Sequence, residues 1–480
     1  MNKIIGRGRE QKELINLYES GKPEFVAIYG RRRVGKTFLI KELFSDKLTF
    51  YHSGLSPYDR TRRITMRDQL EAFYSSLISY GMEEEHCPQS WMEALSMLAK
   101  LLETKDNGSR QLIFIDELPW LDTNRSKFLI AFEHFWNTWC AWHDRVMLVV
   151  CGSASLWILD NLINNHGGLY DRLTWQIKLS PFTLAECKEF FNSKDFNMSN
   201  YDLIETYMAV GGIPYYLNYF QRGLSIAQNI DLLFFDKNAK LKKEFDRLFG
   251  SLFSAPETYK TIVEFLSTKH SGYTRDELGA KFDMKSGGSL TKILEALTES
   301  DFIEAYKPFA NGNKGMKYKV IDNFCLFALR FLISKRIKDA SYWLHNHNTP
   351  SVNAWRGIAF EQVCFNHIAQ IKRALGIGNV TSEESSWIMH GNDTHAGAQI
   401  DMIITRDDRV VNLCEMKFVS TDFEVTSKYC QLLRERVSML QEKLSFKQSI
   451  HLTLVTTNGI KQNAYSGIFQ NIITINDLIL

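Results

Sequence analysis

Gly30-Arg-Arg-Arg-Val-Gly35-Lys36-Thr37 lies between an apolar run, Phe25-Val-Ala-Ile-Tyr29, and Phe38-Leu-Ile-Lys-Glu-Leu-Phe44, which reads as helical. Strand, glycine loop and helix in that order, with GxxxxGK[ST] spacing, make a phosphate-binding loop. Gly30 and Gly35 let the backbone curl until its N–H groups converge on phosphate oxygens. The positive end of the following helix adds to the attraction. Lys36 is then placed to reach the β- and γ-phosphates, and Thr37 to ligate Mg²⁺. A chance glycine turn before a helix is the competing reading, and the complete spacing argues against it.

Gln111-Leu-Ile-Phe-Ile-Asp116-Glu117 is an apolar run ending in two acids. Its continuous hydrophobicity suits a strand covered on both faces in a parallel sheet. Such a strand delivers its last residues to the carboxyl edge, where open α/β sheets bind ligands. This is the Walker B pattern: Asp116 holds Mg²⁺ and Glu117 polarises the water that attacks the γ-phosphate. An ordinary acidic strand end is the alternative.

The composition is that of an ordinary globular chain. In 480 residues, 45% hydrophobic and 23% charged, there is room for two to four domains. A net charge of +2 argues neither for nor against nucleic acid. None of the eight cysteines has CxxC spacing, so neither a zinc knuckle nor a disulfide framework is indicated. The opening residues carry no apolar targeting segment, and no stretch approaches the ~18 apolar residues of a membrane span. A cytoplasmic protein without membrane contact is expected.

Strands are expected at Phe25–Tyr29, Leu48–Ser53, Leu112–Asp116, Val146–Cys151 and Gln176–Leu179, with helices such as Met66–Ser79 and Phe128–Trp142 between them. The fold class is α/β. A P-loop NTPase core spans residues 1–200, and a helical lid 201–255. Within the lid, Lys240–Arg247 reads as a solvated face. Ser153, after the Val146–Cys151 strand, is a candidate γ-phosphate sensor, with a plain Gly-Ser turn as the alternative. Residues 256–322 read as three helices and a hairpin turning at Asn311–Gly315, and this resembles a winged helix. Thr274-Arg-Asp-Glu277 makes a capping box there. The third helix carries one lysine, while Lys307, Lys314, Lys317 and Lys319 on the wing supply cations for DNA phosphates. A protein-contact module is the rival role.

The order Ile5-Gly6-Arg7-Gly8-Arg9-Glu10, Gly30–Thr37, Ile115-Asp116-Glu117 and Cys151-Gly-Ser-Ala154 resembles the archaeal-type AAA+-related ATPase family, itself related to the STAND signalling NTPases. The match continues through Gly168–Arg172, Leu179–Phe182 and Gly211-Gly-Ile-Pro214-Tyr-Tyr-Leu217. The resemblance implies ATP as ligand, held by Gly30, Arg31, Arg32, Arg33, Val34, Gly35, Lys36, Thr37, Phe38 and Ser153. It further implies that Gly6, Arg7 and Arg9 flank the adenine opposite Pro214, and that Arg172 approaches the γ-phosphate. A second arginine of the sensor-2 type is not evident.

Near the C-terminus, Gln399-Ile-Asp401-Met-Ile-Ile-Thr and Val410-Val-Asn-Leu-Cys-Glu415-Met-Lys417-Phe418 read as an antiparallel hairpin turning near Asp407–Arg409. The register places Asp401 opposite Glu415 or one position away, and alternation puts Glu415 and Lys417 on one face. Facing carboxylates repel, and a bound Mg²⁺ relieves that. The arrangement resembles the PD-(D/E)XK nucleases, with Ile400 in place of the proline. Glu361, on an upstream helix in Trp355–Ile368, completes the acidic cluster in that comparison. Residues 323–480 are therefore expected to form an α/β restriction-endonuclease-like domain. Mg²⁺ or Mn²⁺ would be held by Glu361, Asp401 and Glu415, with Lys417 assisting catalysis. A solvated hairpin with a Glu415–Lys417 ion pair is the bland alternative. Two functions follow: an ATPase coupled to a nuclease or DNA-handling module, or a STAND-like switch with an inactive nuclease-like domain. DNA and further copies of the chain are candidate partners.

Overall fold

The computed structural model describes all residues except 1–3, 58–61, 84–85, 165–166, 254, 285–287, 310–314, 334–336, 390–397 and 445–447. The chain forms two compact units, Met1–Pro181 with Leu248–Pro256, and Phe182–Arg247 with Glu257–Leu480.

The first unit is built on β1 (Glu24–Tyr29), β2 (Leu48–Ser53), β3 (Gln111–Asp116), β4 (Val146–Gly152) and β5 (Trp175–Lys178), in the order β2-β3-β4-β1-β5. All four pairings are parallel. Every residue of β1, β3 and β4 is buried, which is why these strands read as unbroken apolar runs. Helices Met66–Ser79, Trp91–Thr104 and Phe128–Thr138 pack an aromatic core, in which Trp91 meets Phe128 at 4.9 Å and Phe25 meets Trp136 at 4.8 Å between ring centroids. The helix expected through Trp142 ends at Thr138 and resumes as a 3₁₀ turn at Cys140–Trp142.

In the second unit, helices Asn323–Ala328 and Pro350–Asn366 are joined by a cluster of rings, with Trp343 and Trp355 each about 5 Å from Phe327 and Phe331, and Asn323 donates to the Tyr207 carbonyl of helix Asn200–Val210 at 3.1 Å. Within Lys240–Arg247, expected on a solvated face, Glu244 is buried and accepts a hydrogen bond from the Tyr216 hydroxyl at 2.9 Å.

Helices Pro256–Leu266, Arg275–Lys281 and Ser289–Glu299 bury Ile262, Leu266, Leu278, Leu294 and Leu297. They accompany β6 (Tyr273–Thr274), β7 (Ile303–Tyr306) and β8 (Lys317–Val320), an antiparallel sheet ordered β6-β8-β7. Thr274 and Glu277 form the capping box. The expected hairpin turn, apart from Gly315, lies outside the described residues, as does Lys314.

The last sheet joins β9 (Ser382–Met389), β10 (Ala398–Arg406), β11 (Val410–Lys417), β12 (Ser449–Thr456) and β13 (Asn471–Thr474) in the order β13-β12-β11-β10-β9. β9, β10 and β11 are antiparallel, while β12 and β13 run parallel to β11. Helix Ser427–Lys443 connects β11 to β12 and buries Cys430, Leu433 and Leu440. Such a crossover is what a parallel pair requires. Among the described residues no helix is long and apolar enough to cross a membrane. Cys87 is exposed and the other seven cysteines are buried free thiols.

Candidate functional site

Because β3, β4 and β1 are parallel neighbours, Asp116, Ser153 and the Gly30–Thr37 loop emerge at one edge of the sheet. Gly30 has φ +130°, and a Cβ there would stand 2.4 Å from the Leu179 carbonyl oxygen. Arg33 and Gly35 also take positive φ, so the loop turns its amides inward. The Lys36 ammonium donates to the carbonyls of Gly30 (2.9 Å) and Arg31 (3.1 Å), bracing the loop from within. Burial pushes the Lys36 pKa down, against the pull of Glu117 and Asp116.

Thr37 Oγ1 donates to Asp116 Oδ2 at 2.8 Å. Two hard oxygen donors thus already meet where the sequence expects Mg²⁺, and that donor set suits the ion. Asp116 Oδ1 accepts the Cys151 thiol at 2.5 Å and the Glu117 amide at 3.0 Å. Glu117 itself sits at φ +49°, turned so that Oε2 accepts both the Ser153 amide (3.0 Å) and its hydroxyl (2.9 Å). Burial raises the Glu117 pKa, and Lys36 opposes the rise.

The remaining nucleotide-site candidates are more dispersed. Arg7, in left-handed conformation ahead of helix Gly8–Glu19, donates to the Ser180 carbonyl at 2.5 Å. Gly6 accepts from Gln11 Nε2 at 2.7 Å. Arg31 and Val34 are buried, Arg32 and Arg33 half-buried, and Arg9 and Phe38 exposed. Arg172 lies on an exposed turn, where its guanidinium makes no hydrogen bond or ion pair among the described residues. Pro214 opens a short helix, Pro214–Leu217, in the second unit.

In the C-terminal sheet Met402 pairs with Cys414, a register that brings Asp401 across from Glu415. Lys417 Nζ stands 3.2 Å from Glu415 Oε2 and 3.5 Å from Asp401 Oδ2, and the Met416 amide donates to Asp401 at 3.0 Å. Burial raises the Asp401 pKa to about 6, with Lys417 opposing and Glu415 and Glu361 reinforcing. Glu415 is completely buried, and beyond Lys417 it receives the Tyr429 hydroxyl at 2.6 Å and the Arg436 guanidinium. Glu361 is turned to His270, 2.8 Å away. Among the described residues no group of three or more His, Cys, Asp or Glu side chains could hold a metal ion. The expected Glu361–Asp401–Glu415 metal set does not fit this arrangement, since its carboxylates are committed to protein cations and donors.

Of the wing lysines expected to meet phosphate, Lys319 is buried, with its ammonium 3.6 Å from the Phe365 ring centroid and 3.7 Å from Glu304. It is not presented to a phosphate. Lys307 is exposed and Lys317 half-buried.

Sequence reasoning assigned no role to Cys151, Tyr429, Arg436 or His270. The seven-residue spacing of Tyr429 and Arg436, two helical turns, was the one available signal.

Residues 5–220 match the model of an ATPase domain predominantly from Archaea. An uncharacterized protein of Methanocaldococcus jannaschii is 26% identical over 447 residues, covering 90% of this chain and 91% of its own. Among solved structures, the Walker-type ATPase of Pyrococcus abyssi is 18% identical, with a TM-score of 0.48, and covers 68% of this chain and 96% of its own. The Aeropyrum pernix ORC2 protein is 13% identical over 69% of this chain and 96% of its own, with a TM-score of 0.42. The loop has the geometry of a phosphate-binding loop, and the part of the chain that carries it is similar to that ATPase domain.

Proposed function

We propose that this protein is a Mg²⁺-dependent ATPase that works as a nucleotide-driven switch, its C-terminal domain having a nuclease-like build without a nuclease's metal site. The observation that carries the first half is the linked set of Thr37 on Asp116 and Ser153 on Glu117 at the mouth of the loop. Lys36 leaves the Gly30 and Arg31 carbonyls to meet the β- and γ-phosphates. Glu117, held by Ser153, takes the proton of the attacking water. Thr37 and Asp116 would hold Mg²⁺, which when bound offsets charge on the phosphate oxygens. Gly6, Arg7 and Arg9 are proposed around the adenine, Arg31–Val34 and Phe38 along the phosphates, and Arg172 as a supplementary cation for the transition state. ATP hydrolysis by the purified protein tests this. Lys36→Ala should abolish it, and unchanged turnover in that variant would defeat the proposal.

The nuclease-like build is supported by Glu361 on a helix, Asp401 on β10, and Glu415 and Lys417 on β11, followed by a crossover helix to a parallel strand. The antiparallel β6-β8-β7 sheet behind three helices supports a winged helix. A second reading, an ATP-coupled metal nuclease, draws on the convergence of Asp401, Glu415 and Lys417. Under the switch reading ATP changes the oligomeric state and DNA stays intact. Cleavage of linear or circular DNA with Mn²⁺, lost in Glu415→Ala, would establish the second reading instead. The protein is proposed to act in the cytoplasm, with DNA or another copy as its partner.

A further inference from the structure

We infer that Arg436 is a built-in counter-ion that stands in for a divalent cation at Glu415, so that the Asp401–Glu415–Lys417 cluster is neutralised from within the chain. The inference rests on reading this domain as nuclease-like.

Glu415 has no exposed surface, so its charge must be answered by neighbours rather than by water. Both carboxylate oxygens are answered. Oε1 accepts from Arg436 Nη1, while Oε2 accepts from the Tyr429 hydroxyl (2.6 Å) and Lys417 Nζ (3.2 Å). Tyr429 and Arg436 lie seven residues apart on helix Ser427–Lys443, which brings both to the same face. Cys430, Leu433 and Leu440 bury that helix in the hydrophobic core of the C-terminal sheet, so Arg436 is delivered by the packing and is not a freely swinging surface arginine.

The other two acids are also engaged. Asp401 Oδ2 accepts from the Met416 amide (3.0 Å) and approaches Lys417 (3.5 Å), and Glu361 Oε2 pairs with His270 at 2.8 Å. Three carboxylates are met by Lys417, Arg436 and His270. A dication entering here would have to displace the partly buried Arg436 guanidinium, and no group of three or more His, Cys, Asp or Glu side chains that could hold a metal ion exists among the described residues. The domain then serves as a rigid binding or contact module, and Arg436 joins Lys417 in offsetting the charge of the buried Glu415.

Mn²⁺ binding to the full, nucleotide-free chain, read by the electron paramagnetic resonance of free Mn²⁺, tests the inference. Four proteins are compared: wild type, Asp401→Asn, Arg436→Gln and the double variant. Wild type and Asp401→Asn should bind equally, while Arg436→Gln should gain one site per chain that the double variant loses. A wild-type site that disappears in Asp401→Asn would overturn the inference and leave the nuclease-like reading standing. A folded Arg436→Gln protein that still binds nucleotide but gains no site would overturn both. If Arg436→Gln does not fold, a wild-type site lost in Asp401→Asn still overturns the inference, and equal absence of a site in both proteins supports a cluster neutralised from within the chain.

Discussion

Replacing Glu117 with Gln should lower kcat for ATP hydrolysis by about 10²–10⁴-fold, the range for removing a positioned general base, equivalent to ~3–5 kcal/mol of barrier. The substitution is clean for a structural reason. Glu117 Oε2 only accepts, from the Ser153 amide and hydroxyl, and a glutamine amide oxygen can accept both bonds. Side-chain position is kept and basicity lost, so KM for ATP should stay within about twofold, as expected when an interaction made only in the transition state is removed. The same variant carries a stability signature. Burial raises the folded-state pKa of Glu117 above its ordinary value of 4.5. Across that window the folded protein binds more protons than the unfolded one, so wild-type stability is full at low pH and declines as pH rises through the folded pKa. The glutamine of the Glu117→Gln variant does not titrate, so that protein should gain stability relative to wild type as pH rises from 4 to 8. Steady-state kinetics and denaturant melts at several pH values measure both effects. Retained kcat, or a loss confined to KM, would refute the assignment of Glu117 as base. A stability difference independent of pH would refute the electrostatic argument.

Three further outcomes are expected. Gly30→Ala should destabilise the first unit by about 2–4 kcal/mol and weaken nucleotide binding, because its Cβ meets the Leu179 carbonyl at 2.4 Å on a backbone at φ +130°; urea melts and nucleotide titration would measure both. Arg356→Ala should cost about 3–5 kcal/mol by stranding Glu205, whose carboxylate now accepts Arg356 Nε at 2.8 Å, whereas replacing both by Met should restore most of that stability. Burial pushes the pKa of His52 and of His367 down to about 4. Each therefore supports its own unit above pH 6.5 and withdraws about 3 kcal/mol of stability as pH falls through 4. Acid melts of His52→Gln and His367→Gln should be flatter than wild type.

The phosphate-loop geometry was legible because its requirements are local. Gly30 and Gly35 answer to backbone conformation, and Gln111–Asp116 to burial on both faces, each within one short stretch. The β10–β11 hairpin was legible for the same reason, its turn sitting at Arg409 with φ +66°. What escaped depends on docking. Arg436 meets Glu415, 21 residues away in sequence, only because its helix packs across the sheet. Lys319 reads as a wing cation until Phe365, from another segment, comes beneath its ammonium. Glu244 belongs to a charged run, and the Tyr216 hydroxyl that justifies its burial is 28 residues distant. β9, opening Ser-Glu-Glu-Ser-Ser, offers no apolar alternation, and its pairing with β10 is what makes it a strand.

The discontinuity of the first unit bears on how the chain is made. That unit closes with Leu248–Pro256, after a 66-residue excursion through Phe182–Arg247 into the second unit. At about 5–20 residues per second, a ribosome would not release its last segment until roughly 13–50 s after starting. The nucleotide loop, complete by Thr37, is among the first parts synthesised, yet its unit waits for more than half the chain. Nor can one protease cut between the units free an intact ATPase: a fragment ending at Pro181 lacks its own final segment, and one ending at Pro256 carries part of the other unit exposed.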